Sequence, residues 1–179
     1  MSGAYIMRFI LSFFLSLSFV WFSSVSADDS KVSKAGAESA EQSGQQMTTL
    51  LKSYFKPATN ALAGLGGNLV PFAAYISADG TMGHHNLAGI EPTDDYKAID
   101  NMVGMLYEKI YPERDNYVTF AIFAVTEVEI EGEKTKALTV IMEHRTGVAV
   151  QRVWPFTIEN NELRLGKASQ IDAVNVIFD

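Results

Sequence analysis

The stretch YVTFAIFAVTEVEIE, Tyr117 to Glu131, decides the fold. Its even positions are Val118, Phe120, Ile122, Ala124, Thr126, Val128 and Ile130, and its odd positions end in Glu127, Glu129 and Glu131. Alternation of that length predicts one long, half-buried β-strand whose far end has a wet face.

Downstream the alternation repeats between turns. Glu131-Gly132-Glu133-Lys134 is a turn, and Thr135 to His144 follows with Leu138, Val140 and Met142 on one side. Arg145-Thr146-Gly147 turns again, and Val148 to Ile158 places Val148, Val150, Trp154, Phe156 and Ile158 on the even side. Asn160-Asn161 leads into a fourth strand carrying Leu163 and Leu165. Turn length sets the register. A three-residue turn with Gly147 left-handed pairs even positions with even ones, so Leu138 faces Trp154 and Met142 faces Val150. A two-residue turn at Asn160-Asn161 sets Ile158 against Leu163 and Phe156 against Leu165.

Upstream the period changes. Met47, Leu50, Leu51, Tyr54 and Phe55 recur at helical spacing. Pro57 is expected to interrupt that helix, with a second short helix from Ala58 to Leu65 closed by Gly66-Gly67. Val70 to Ser77 reads as a strand, with Pro71 at its start or at a sheet edge. Asp79-Gly80 turns into a second strand, Thr81 to about Leu87. Pro92-Thr93-Asp94-Asp95 opens another helix with Thr93 as its N-cap, and Tyr96, Ile99, Met102, Val103, Leu106 and Ile110 form its stripe up to Pro112. The expected fold is a two-layer α+β sandwich in the order helix, β-hairpin, helix, four-stranded antiparallel meander.

That order, from Met47 to Ala168, resembles two known layouts. One is the NTF2-like cone, in which a curved meander wraps a helix; this resemblance implies a sheet–helix pocket. The other is the roadblock/longin or profilin-like layout. Neither resemblance carries a motif, so neither implies a chemistry.

The ends and the composition bound the compartment. Arg8 precedes a largely apolar run from Phe9 to Phe22, and Val25-Ser26-Ala27 supplies small residues ahead of Asp28-Asp29. This is the pattern of a signal peptide over 1–27, cleaved after Ala27; the apolar run is shorter than the ~20 residues of a spanning helix. The expected organisation is then a flexible polar leader over 28–46 and a single α+β domain over 47–179, exported to the periplasm or beyond the cell. The chain has no cysteine, hence no disulfide, no thiolate and no attachment point for a lipoprotein anchor. Its net charge is −7, and losing 1–27 removes one base and no acid. Nucleic acid is therefore not an expected partner, and no later segment is expected to span a membrane.

Few residues suggest chemistry. His84 and His85 are adjacent on a strand and so point to opposite faces, which is wrong for a shared metal. Glu127, Glu129, Glu131 and Glu133 read as a solvated strand face. His144 shares the apolar face with Met142 and is a candidate contact at a cavity mouth. Arg152 is placed by the register on that same face, between Val150 and Trp154, where a guanidinium must reach the rim, pair with an acid or meet a ligand. His144, Arg152 and Trp154 are thus the candidate ligand-binding residues. No catalytic residue, metal or cofactor is expected. The reading favours a non-catalytic binding module whose partner is a small apolar molecule, another exported protein or a second copy of the chain. The alternative is an NTF2-like enzyme acting on a small molecule with His144 and an acid.

Overall fold

The structure, a computed structural model, describes residues 29–160 and 162–178. The segment read as a signal peptide lies outside the described residues, as does Asn161 of the last expected turn. Among the described residues the fold is α+β, with two α-helices and a curled antiparallel sheet.

Helix α1 spans Asp29–Gly64 and continues past Pro57, so the expected break does not occur. Pro57 lies on the exposed side. There its missing N–H is a smaller loss than undoing the stripe, because Ala58 and Leu62 continue the line begun by Met47, Leu50 and Leu51, and all five are buried. The helix also extends upstream of Met47 through the stretch read as a flexible leader, and Ser43 there is fully buried. Gly67 follows the helix at φ 86°, its N–H donating to the Leu62 carbonyl. A Cβ on Gly67 would lie 3.2 Å from the Phe156 ring, so both the turn and the close approach to the sheet require glycine.

Strands β1 (Phe72–Ser77) and β2 (Met82–Asn86) form the expected hairpin. Pro71 immediately precedes β1, which is an interior strand between β2 and β3. Helix α2 spans Tyr96–Ile110 and is followed by a 3-10 turn, Tyr111–Asn116. Its N-cap is Asp95, not Thr93: the Asp95 carboxylate accepts from Lys97 N at 3.0 Å and Ala98 N at 3.4 Å. Thr93 instead accepts the Asp95 N–H, which sets the cap in place.

The meander is β3 (Tyr117–Ile130), β4 (Glu133–His144), β5 (Ala149–Glu159), β6 (Glu162–Leu165) and β7 (Ser169–Asp172). The order across the sheet is β2-β1-β3-β4-β5-β6, with β7 also on β5. The register follows the turns: Leu138 faces Trp154, Met142 faces Val150, Ile158 faces Leu163 and Phe156 faces Leu165. Gly147 is left-handed at φ 87°. The β4–β5 ladder runs without a register shift, and Arg152 stands opposite Val140. Gly166 N donates to Pro155 O and Ala173 N to Ala149 O, so β6 and β7 lie end to end along one edge of β5.

The near-uninterrupted apolar run of β3 is buried on both faces from Thr119 to Val125. Its odd residues Ala121, Phe123 and Val125 join α1, Leu138, Val140 and Met142 in one core. Its even residues Phe120 and Ile122 pack against Leu106 and Ile110 of α2 and Ile177 of the C-terminal segment. Only the far end of β3 is half-wet, and there Glu127 and Glu129 oppose Lys136 and Lys134.

Candidate functional site

All three sequence-derived candidates lie on the α1 face of the sheet, but the structure does not gather them into one cavity. His144 ends β4, almost fully buried, and both ring nitrogens are engaged. The Thr146 N–H donates to Nδ1 at 3.1 Å, so that nitrogen carries the lone pair; Nε2–H donates to Gln46 Oε1 of α1 at 2.8 Å. The Thr146 hydroxyl also meets Nδ1 and lies 2.8 Å from the Ser43 hydroxyl, which donates to Ser39 O. Burial, and secondarily Arg145, pushes the imidazole pKa down. A neutral ring whose basic nitrogen is taken by a backbone donor is a strut between β4 and α1, not a free base.

Arg152 and Trp154 sit farther along β5, where the seam with α1 opens into two adjoining hollows. One, of about 290 Å³, is lined by Leu51, Lys52, Phe55, Lys56 and Trp154. The other, of about 120 Å³, is lined by α1 from Gly44 to Leu51 and by Met142, Val150, Arg152 and Gln170. Leu51 borders both, so they are neighbours along the α1–β5 seam; Lys52 and Lys56 line only the first and Arg152 only the second. Trp154 packs on Phe55 with ring centroids 4.7 Å apart and stays half-exposed. Arg152 is half-buried, and its Nε donates to Gln170 Oε1 at 3.0 Å. Among the described residues it makes no ion pair, so it reaches the rim with a neutral partner.

A larger cleft, about 610 Å³, opens where the sheet forks. Pairing of β4 with β5 stops at Ala137–Pro155; beyond it the start of β4 stays with β3 and the end of β5 stays with β6. Its cations are already used: Lys134 pairs with Glu127 at 2.6 Å and Arg164 with Glu159 at 3.2 Å.

Two polar clusters escaped the sequence reading. Glu143, next to His144 but on the opposite face, is fully buried. Its Oε1 accepts from the Tyr107 hydroxyl at 2.9 Å, and its Oε2 accepts from Val176 N at 2.7 Å and Ile177 N at 2.9 Å. Burial raises its pKa against the opposing pull of those donors. The carboxylate clasps the C-terminal segment to α2; Asn175 helps by donating to His144 O and accepting from Phe178 N. The signal for this burial was in β4 itself, whose odd positions include Ala137 and Ile141 and so predict a second buried face. In the other cluster, the Tyr117 hydroxyl donates to Glu113 at 2.8 Å and accepts from His85 Nε2 at 2.9 Å. Burial and that carboxylate raise the Tyr117 pKa, so its proton is held. His84 points the other way, edge-on to Tyr54 of α1, so the two histidines do not converge. Among the described residues, no three His, Asp or Glu side chains are grouped to hold a metal ion.

The chain matches no protein-family model, and no curated protein or solved structure is significantly similar to it.

Proposed function

We propose that this chain is an exported, non-catalytic module that binds a small ligand in the groove between α1 and β5. The observation that carries the reading is the pairing of Trp154 and Phe55, a partly buried aromatic pair, with Arg152 at the rim and, among the described residues, no acid bonded to it. Ligand sites combine such an apolar surface with a few polar groups that fix orientation. The engaged state of His144 argues against the enzyme alternative. Export rests on the N-terminal pattern; no helix among the described residues is long and apolar enough to cross a membrane. For the finer layout we propose the NTF2-like order, because the curled meander leaves its groove at the helix–sheet seam.

The test uses Trp154 as reporter. With Trp21→Phe, Trp154 is the sole tryptophan. A chemically mixed panel of apolar and amphiphilic small molecules is titrated against this variant. Saturable change in emission with at least one member, weakened by Phe55→Ala, is expected. Silence across the panel contradicts the reading.

A further inference from the structure

We propose that the groove selects an amphipathic anion, specifically a free single-chain carboxylate. Its tail lies over Leu51, Phe55 and Trp154, its headgroup meets Lys52 and Lys56 at the mouth, and Arg152 adds its charge from the adjoining hollow. This rests on the binding reading above and adds the ligand's chemistry. The chain as a whole is acidic, at −7, yet this seam gathers three cations. Lys52 and Lys56 are four apart on α1 and therefore share one helix face. Among the described residues none of the three is in an ion pair, whereas the two cations of the fork both are. Arg152 spends one donor on neutral Gln170 and has the rest of its guanidinium for an anion.

Depth separates the two chemistries. Leu51 is buried at the floor, the Phe55 and Trp154 rings flank it, and Lys52 and Lys56 are exposed at the mouth. Lysine stems lie along apolar surface and carry their charge outward, so the groove is apolar below and cationic above. A neutral apolar ligand leaves that charge unmatched. A small dianion leaves Leu51 and its flanking rings wet. An anionic membrane is disfavoured by the overall negative charge, and hollows of about 290 and 120 Å³ suit one chain rather than two.

Decanoate below its micellar concentration, decanol, and vesicles of anionic phospholipid are titrated into the Trp21→Phe protein, with Trp154 emission as readout. Decanoate should bind saturably, and decanol about tenfold more weakly, the worth of one hydrogen bond to a charged group. Lys52→Gln with Lys56→Gln and Arg152→Gln should abolish that difference. Exposed Lys56→Gln alone, which leaves the fold undisturbed, should weaken decanoate about threefold. Vesicles should have no effect. Equal binding of decanoate and decanol overturns the anion selectivity and leaves the groove reading standing. A stronger response to vesicles overturns the free-carboxylate assignment. Failure of decanoate while another panel member binds overturns this inference alone; silence of every compound overturns both.

Discussion

Glu143→Ala removes the one acceptor that three donors share. Tyr107 Oη, Val176 N and Ile177 N all point at that carboxylate, and each donor left unpaired in a buried place costs ~1–3 kcal/mol. The two backbone donors have an escape: the C-terminal segment can lift and return them to water. Lifting exposes Ile177, which is wholly buried, and a buried isoleucine side chain is worth ~1.5–3 kcal/mol. That undocking cost caps the damage, and relief of a desolvated carboxylate offsets part of it, so the net loss should be about 2–3 kcal/mol. Urea denaturation reads the loss. Amide exchange reads its location: Val176 and Ile177 should lose far more protection than Phe123 in the central core. A loss below about 0.5 kcal/mol, the scale of an ordinary surface change, with Ile177 still protected would refute the clasp. Because burial raises the Glu143 pKa, the folded state holds that proton more tightly than the unfolded chain. Its contribution is full below the ordinary carboxylate range and is lost as pH rises through the raised value.

His144 should show the opposite sign. Burial lowers its pKa, so its contribution is present above the ordinary imidazole value and lost as pH falls through the lowered one; urea midpoints between about pH 7 and pH 5 should fall less in His144→Gln than in the parent. An unchanged slope would mean the imidazole is not held neutral. Arg152→Met should change stability by no more than about 0.5 kcal/mol, since among the described residues its side chain bonds only to Gln170, and a loss above about 2 kcal/mol would reveal a buried acid partner. Trp154→Ala should cost about 2–3 kcal/mol, below the full range for a buried tryptophan because the side chain is only partly buried; a near-neutral result would remove it from the α1–β5 seam. Intact mass of the exported protein should show loss of residues 1–27, and a retained N-terminus would contradict the export proposal.

The sheet was legible because parity is unforgiving. Once Arg145-Thr146-Gly147 is taken as a three-residue turn, every partner from Ala137 to Pro155 follows, and Leu138 does face Trp154. What was not legible depended on partners distant in sequence. Pro57 looks like a stop until Ala58 and Leu62 are seen buried against the sheet. Ser43 sits in a polar, low-complexity stretch, and only the distant Thr146 explains its burial. Strand β7, Ser-Gln-Ile-Asp, has no alternation to read and pairs because β5 offers it an edge. For the site, sequence placed Arg152 and Trp154 on the apolar face. It could not show that α1 brings Lys52, Phe55 and Lys56 alongside.

The most direct measurement is a chemical-shift map of the isotope-labelled full-length protein titrated with decanoate. Shifts concentrated at Leu51, Phe55 and the Trp154 indole, saturating together, are the predicted result. Shifts that instead gather at the fork, around Ile130, Arg164 and Leu165, or that spread without saturating, would contradict the account.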